Sequence, residues 1–225
     1  GKKKGRVALG EGVLGWGGGG GGGRTGVCPT TKTKHKMKLQ PKHIYHIYNR
    51  GNNRQTIFFT HSNYVFFLQK LKTHLAGTCD ILAFCLMPNH FHLLISTPED
   101  FNTDAFYNSY KTLLSSYTRA INRQENRKGS LFQQNSKSKS VSDWYNYDYA
   151  FTCLNYIHQN PLNAGLVKKL EDWKYSSFVE YLGLKSNPIC NLKDVRQFFN
   201  LPQSKAEFII ISYQTLTSDL IDKVR

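Results

Sequence analysis

The chain has 225 residues, 40% hydrophobic and 13% aromatic, and a formal charge of +15. That is enough for one sizeable domain, or one domain with tails, and the charge suits a polyanionic partner such as nucleic acid. Five scattered cysteines (Cys28, Cys79, Cys85, Cys153, Cys190) without a CxxC pair argue against a disulfide framework, and no stretch approaches 18 apolar residues or forms a secretion signal, so a cytoplasmic, nucleoid-associated protein is expected.

Residues 1–36 form a low-complexity stretch with seven consecutive glycines and 8 Lys/Arg against 1 acid. Such a run cannot offset its ordering entropy, so a disordered basic extension is expected, with Met37 as the start of a folded domain over 37–182. The remaining 189 residues hold 22 Lys/Arg against 14 acids, so the domain is basic in its own right.

"KHIYHIYNRG" (42–51) alternates and is rich in aromatic and β-branched residues, which predicts a strand. "SNYVFFLQKLKTHLAG" (62–77) has helical spacing, a serine cap and a closing glycine. "CDILAFCLMP" (79–88) and "HFHLLIST" (90–97) predict a hairpin turning at Pro88-Asn89. A second amphipathic helix is expected over 102–124, a short polar strand over 136–142, and a third helix over 143–161 ended by Asn160-Pro161. This order is α+β, predicting a ferredoxin-like antiparallel sheet with helices on one face. Past Tyr181 a tail (183–225) with short helices is expected to pack separately at best.

The chemistry-bearing stretch is "CLMPNHFHLLI". In a strand, His90 and His92 share a face about 7 Å apart along the backbone, while Phe91, Leu93 and Ile95 take the opposite, core face. Two imidazoles make an incomplete cation site, so further groups are needed. On the third helix, Tyr147, Ala150, Phe151, Leu154 and Ile157 form the expected core stripe; Tyr149, Cys153, Tyr156 and Asn160 form another. Tyr156 and Asn160 stand one turn apart, as a nucleophile beside a metal ligand would; with 13 tyrosines in the chain, periodicity alone favours aromatic packing.

"CLMPNHFHLLI", "SYTRAIN", "GSLFQ", "YIHQNPLNAGLV" and "WKYSSFVEY", in that order and spacing, resemble the IS200-like transposases. These are the single-tyrosine branch of the His-hydrophobe-His nucleases, and the likeness points to their REP-associated tyrosine transposase group. The resemblance runs from about Lys42 to Tyr181. It implies a nucleophile helix packed beside a metal-binding strand, with His90, His92 and Asn160 as ligands of Mg²⁺ or Mn²⁺ and Tyr156 as nucleophile. The implied activity is cleavage and transfer of single-stranded or hairpin DNA through a 5′-phosphotyrosine, by a monomer or homodimer. After "LFQ" the family usually has a basic residue and an aromatic; here Asn135 and Ser136 follow, leaving Lys137 and Lys139 to compensate.

DNA grip is expected from the basic stretch holding Lys111, Arg119, Arg123, Arg127, Lys128, Lys137 and Lys139 against one acid, Glu125. Tyr117 and Phe132 would stack unpaired bases unless they are core, the expectation favoured for Phe132. Arg50 and Arg54 in "NRGNNRQ" would contact phosphate unless the segment is an ordinary turn. Three rivals stand beside this reading. Nucleotide hydrolases with alternating strand histidines would want a third where Leu94 stands. Relaxases would often bring a helicase domain, and no Gly-Lys-Ser/Thr loop is found. A domesticated, non-catalytic DNA-binding protein derived from a transposase is the alternative function.

Overall fold

A computed structural model describes residues 37–143 and 148–224. The expected basic extension (1–36) lies outside the described residues, as does Tyr147. Four strands form one antiparallel sheet: β1 (His43–Arg50), β2 (Asp80–Met87), β3 (His90–Ser96) and β4 (Lys137–Asp143), in the order β2-β3-β1-β4. The long helices are α1 (His61–Leu75), α2 (Thr103–Gln124) and α3 (Asp148–Asn163), followed by the short α4 (Phe178–Tyr181), α5 (Leu192–Phe198), α6 (Lys205–Ser212) and α7 (Ser218–Val224).

The α+β fold and the β2–β3 hairpin at Pro88-Asn89 follow the expectation. The single helical face holds for α1 and α2; α3 packs on the other face. Phe67 of α1 meets the ring of Phe91, whereas Tyr156 of α3 meets the ring of His92, and neighbours along a strand point oppositely. The near-continuous apolar run of β2, buried from Ile81 to Met87, is what two covered faces require.

Local differences have local causes. The cap of α1 is Thr60 rather than Ser62; Asn63 Oδ1 accepts from the Thr60 backbone N–H at 3.1 Å. α3 runs through Pro161 to Asn163 instead of ending before the proline. It stops where Gly165 takes φ +67°, with Leu166 N–H donating to Pro161 O and Gly165 N–H to Leu162 O, both at 2.9 Å. These two bonds are a Schellman ending, whose signal was the glycine, not the proline. On α3 the core stripe is shifted: Cys153 is wholly buried with Ala150, Leu154 and Ile157, while Phe151 is half-buried.

The helices past Tyr181 do not pack apart. Val195, Leu201, Phe208 and Val224 are buried within the main hydrophobic core. The "YIHQNP" segment helps hold them: Gln159 Nε2 donates to Ser212 O (2.8 Å) and Gln214 O (2.9 Å). His158 is buried against the rings of Phe178, Tyr181 and Phe208. No described helix is long and apolar enough to cross a membrane.

Candidate active site

Strand register assembles the site before any side chain is considered. Arg50 pairs with His90, and Tyr48 pairs with both His92 and Lys137. Residues directly opposite share a face, so Arg50, His90, Tyr48, His92 and Lys137 stand together on the face that α3 covers. One row further on, His46 pairs with Leu94 and Lys139 on that same face.

The two histidines meet as expected, with ring centroids 5.0 Å apart and planes at 88°. His92 is buried and His90 half-buried. Tyr156 lies edge-on to His92 (5.6 Å) and to His46 (5.9 Å), so its stripe of α3 faces the sheet rather than leaving the core. Asn160 sits one turn later on α3. Its amide is not loosened by a helix end: Nδ2 donates to Tyr156 O at 2.8 Å. Tyr156, Asn160, His90, His92, Tyr48 and Arg50 line a cavity of about 400 Å³. Among the described residues no group of three His, Cys, Asp or Glu could hold a metal, so an ion here would rest on the two imidazoles and the Asn160 amide.

Each histidine has a partner on its Nδ1. His90 Nδ1 is 2.6 Å from Asn89 Oδ1. His92 Nδ1 is 2.8 Å from Nε2 of His46, whose own Nδ1 is 2.5 Å from Val224 O at the end of α7. Burial pushes the His46 pKa down to about 4. Sequence reading took the β1 stretch as a strand and missed His46 and Tyr48. The alternation His46, Tyr48, Arg50 was the available signal once β1 is laid beside β3.

The expected DNA-binding residues divide. Arg50 lines the histidine–tyrosine cavity and two adjoining depressions, one shared with Lys137, Gln133 and Asn135 and the other with Arg54, Asn89 and His90. Among the described residues no Asp or Glu lines any of the three, which leaves Arg50, Arg54 and Lys137 as a positive rim. Lys137 Nζ stands 5.8 Å from the Tyr48 ring centroid. Lys111 lines a separate cavity of about 340 Å³ between α2 and residues 130–136. Arg119, Arg123 and Lys128 are exposed and line none of these cavities.

Other residues of that basic stretch are tied into the fold. Lys139 donates to Asp222 O of α7 at 2.7 Å, so its ammonium braces the C-terminal helix. Arg127 is half-buried and donates to Gln55 Oε1 at 2.7 Å, tying the end of α2 to the loop after β1. Tyr117 is wholly buried, its hydroxyl donating to Ile57 O at 2.7 Å, so it cannot stack a base, and Phe132 is core as expected. Ser136 is tied into the fold, its Oγ receiving bonds from Asn49 Nδ2 and Tyr110 OH, both at 2.8 Å.

Known proteins share sequence and fold with this chain. Residues 40–160 match the family model described as "Transposase IS200 like". A curated Haemophilus influenzae protein, whose name places it among REP-associated tyrosine transposases, is 29% identical over 126 residues, half of this chain and 69% of its own length. Among solved structures, a REP-associated tyrosine transposase bound to a REP hairpin superposes with a TM-score of 0.54 at 19% identity, covering 70% of this chain and 90% of its own. A bacterial tRNA(His) guanylyltransferase-like protein with GTP gives a TM-score of 0.38 at 9% identity, covering 57% of this chain and 68% of its own. The chain belongs to the IS200-like transposase family.

Proposed function

We propose that this chain cleaves and rejoins single-stranded DNA, on a strand presented beside a hairpin, with Tyr156 as nucleophile. The observation that carries the reading is one cavity in which Tyr156 stands edge-on to His92, with His90 and Asn160 in the same wall and cations at the rim. The hairpin element is taken from the solved relative, which is bound to one.

The donor set fits a hard divalent ion. His90 and His92 supply ring nitrogens, and with Asn160 Nδ2 already donated to Tyr156 O, the amide oxygen is the atom left to coordinate. A neutral amide adds no charge to repel DNA, and three protein ligands leave positions open to phosphate oxygens. Bound there, Mg²⁺ or Mn²⁺ would act as a Lewis acid on the scissile phosphate. Arg50, Arg54 and Lys137 hold the backbone of the strand on either side. A phenol ordinarily titrates at about 10, so Tyr156 must lose its proton as it attacks. The Tyr156 Oη–P bond forms, the P–O3′ bond breaks, and the leaving 3′ oxygen takes up a proton. The product is a 5′-phosphotyrosine and a free 3′-hydroxyl. Because the phosphodiester energy is retained in the link, attack by a 3′-hydroxyl on the same phosphotyrosine joins strands.

The test is covalent capture of labelled single-stranded hairpin DNA with Mg²⁺ or Mn²⁺, read on a denaturing gel. The expected result is an adduct that Tyr156→Phe abolishes while DNA binding is kept. Mapping the adduct to Tyr149 or another tyrosine would refute the nucleophile. Full cleavage in excess chelator would remove the ion from the reaction, and DNA binding without any adduct would favour the domesticated, non-catalytic binder.

A further inference from the structure

We propose that His46 is a positioning residue: held by the Val224 carbonyl of α7, it locks His92 in the Nδ1–H tautomer and so presents Nε2 of His92 as a ligand. Asn89 does the same for His90. The use of that ligand rests on the ion-dependent reading above; the lock itself does not.

A backbone carbonyl oxygen can only accept a hydrogen bond. Val224 O lies 2.5 Å from His46 Nδ1, so that nitrogen must carry the hydrogen. His46 is wholly buried, and neither of its hydrogen-bond partners is an anion that would hold it as an imidazolium. Its Nε2 is therefore a bare acceptor. The 2.8 Å contact to His92 Nδ1 is then a hydrogen bond in one direction only, with His92 donating. A neutral imidazole that donates from Nδ1 has its lone pair on Nε2. Free imidazole side chains in water favour the opposite form, so the lock has something to do.

His90 reaches the same state by a shorter route. Asn89 Oδ1 accepts from its Nδ1 at 2.6 Å, and Asn89 Nδ2 faces Arg54 O at 3.4 Å, which sets which way round the amide stands. Both strand histidines thus have Nδ1 tied outward to the fold. Partners of this kind set tautomer and ring orientation at metal sites, and losing one typically weakens metal affinity by about 10–100-fold.

The lock also explains a long-range feature. Val224 is 178 residues from His46 and lies in the last turn of α7, where carbonyls have no partner within the helix. Docking α7 against α3 and β4 delivers one of those carbonyls to the back of the site. The C-terminal helix is in this sense the last link of the ligand geometry.

The experiment uses the full chain, metal-free, with ¹⁵N-labelled histidine and long-range proton–nitrogen correlation spectra. His92 is expected to show a protonated Nδ1 and an unprotonated Nε2 without any metal. His46→Phe keeps an aromatic ring but cannot accept, so His92 should move toward the Nε2–H form. Mn²⁺ affinity, titrated in parallel, should fall about 10–100-fold. His46→Gln, whose amide can accept from His92 and donate to Val224, should restore most of both. Finding Nε2–H on His92 in the unsubstituted chain overturns the inference without need of any variant. So does a His46→Phe protein that folds with an unchanged His92 spectrum. If the unsubstituted chain has the expected tautomer yet binds no Mn²⁺, the lock stands and the ion-dependent reading falls.

Discussion

His158 should make the fold acid-sensitive by an amount that can be worked out. Its ring is 1% exposed, packed edge-on against Phe178, Tyr181 and Phe208, with Nε2 2.8 Å from Ser177 Oγ. Burial depresses its pKa to about 3, so the folded protein keeps it neutral across ordinary pH. The unfolded chain takes up a proton below about 6.5. Stability from this group is therefore complete above pH 6.5 and is lost as pH falls toward 3. At pH 5 the unfolded state gains roughly 2 kcal/mol from protonating this one ring. The assay is urea unfolding at pH 7 and pH 5, in chelator, for the unsubstituted chain and for His158→Gln. Whatever the variant costs at pH 7, its further loss at pH 5 should be smaller by about 2 kcal/mol, because all other titrating groups are common to both. An equal loss in the two proteins would show that His158 is protonated in the fold, and the packing argument would fail.

Three further outcomes follow from the site and the core. Arg50→Ala and Lys137→Ala should each weaken hairpin DNA binding and flatten its salt dependence by about 0.7 in log–log slope, whereas Arg119→Ala and Arg123→Ala should change little; filter binding across a salt series distinguishes them, and the reverse ranking would move the DNA path to α2. Asn160→Ala should keep a weak cleavage activity, since water can replace a neutral ligand, and complete loss in a folded protein would mean the amide does more than coordinate. Phe208→Ala removes a wholly buried ring stacked between Phe178 and Tyr181, so chemical unfolding should show a loss of about 3–5 kcal/mol; a negligible loss would mean that α6 packs apart from the core.

What could be read from the sequence was local. Period-two alternation puts His90 and His92 on one face, helical spacing stacks Tyr156 with Asn160, and Pro88-Asn89 marks the hairpin. Each depends only on residues within one element or one turn. Tyr117 is ambiguous in sequence because an aromatic between cations looks the same whether it faces DNA or the core. The helix contact that decided the matter, Tyr117 OH on Ile57 O, spans 60 residues. The proline misled for a related reason. Pro161 withholds one N–H, but α3 lies on a packed face, and tertiary contacts carry the helix on to the glycine that can adopt a left-handed turn.

His46 marks the boundary between legible and hidden more sharply. A histidine in an alternating aromatic strand is by itself as good a packing residue as a site residue. Its role appears only when β1 is placed between β3 and β4, because that register sets His46 and Tyr48 on the face of His92. The same placement shows why the tyrosine helix cannot share a face with α1 and α2. Those helices cover Phe91, Leu93 and Ile95, the apolar side of β3, so a tyrosine carried there would be shut away from both histidines by the sheet itself. With the histidines at i and i+2 on the other side, a tyrosine that meets them has to arrive there on a separate element. The polar alternation of β3 was therefore already an argument for a two-faced sheet, and the continuous apolar run of β2 was its independent confirmation.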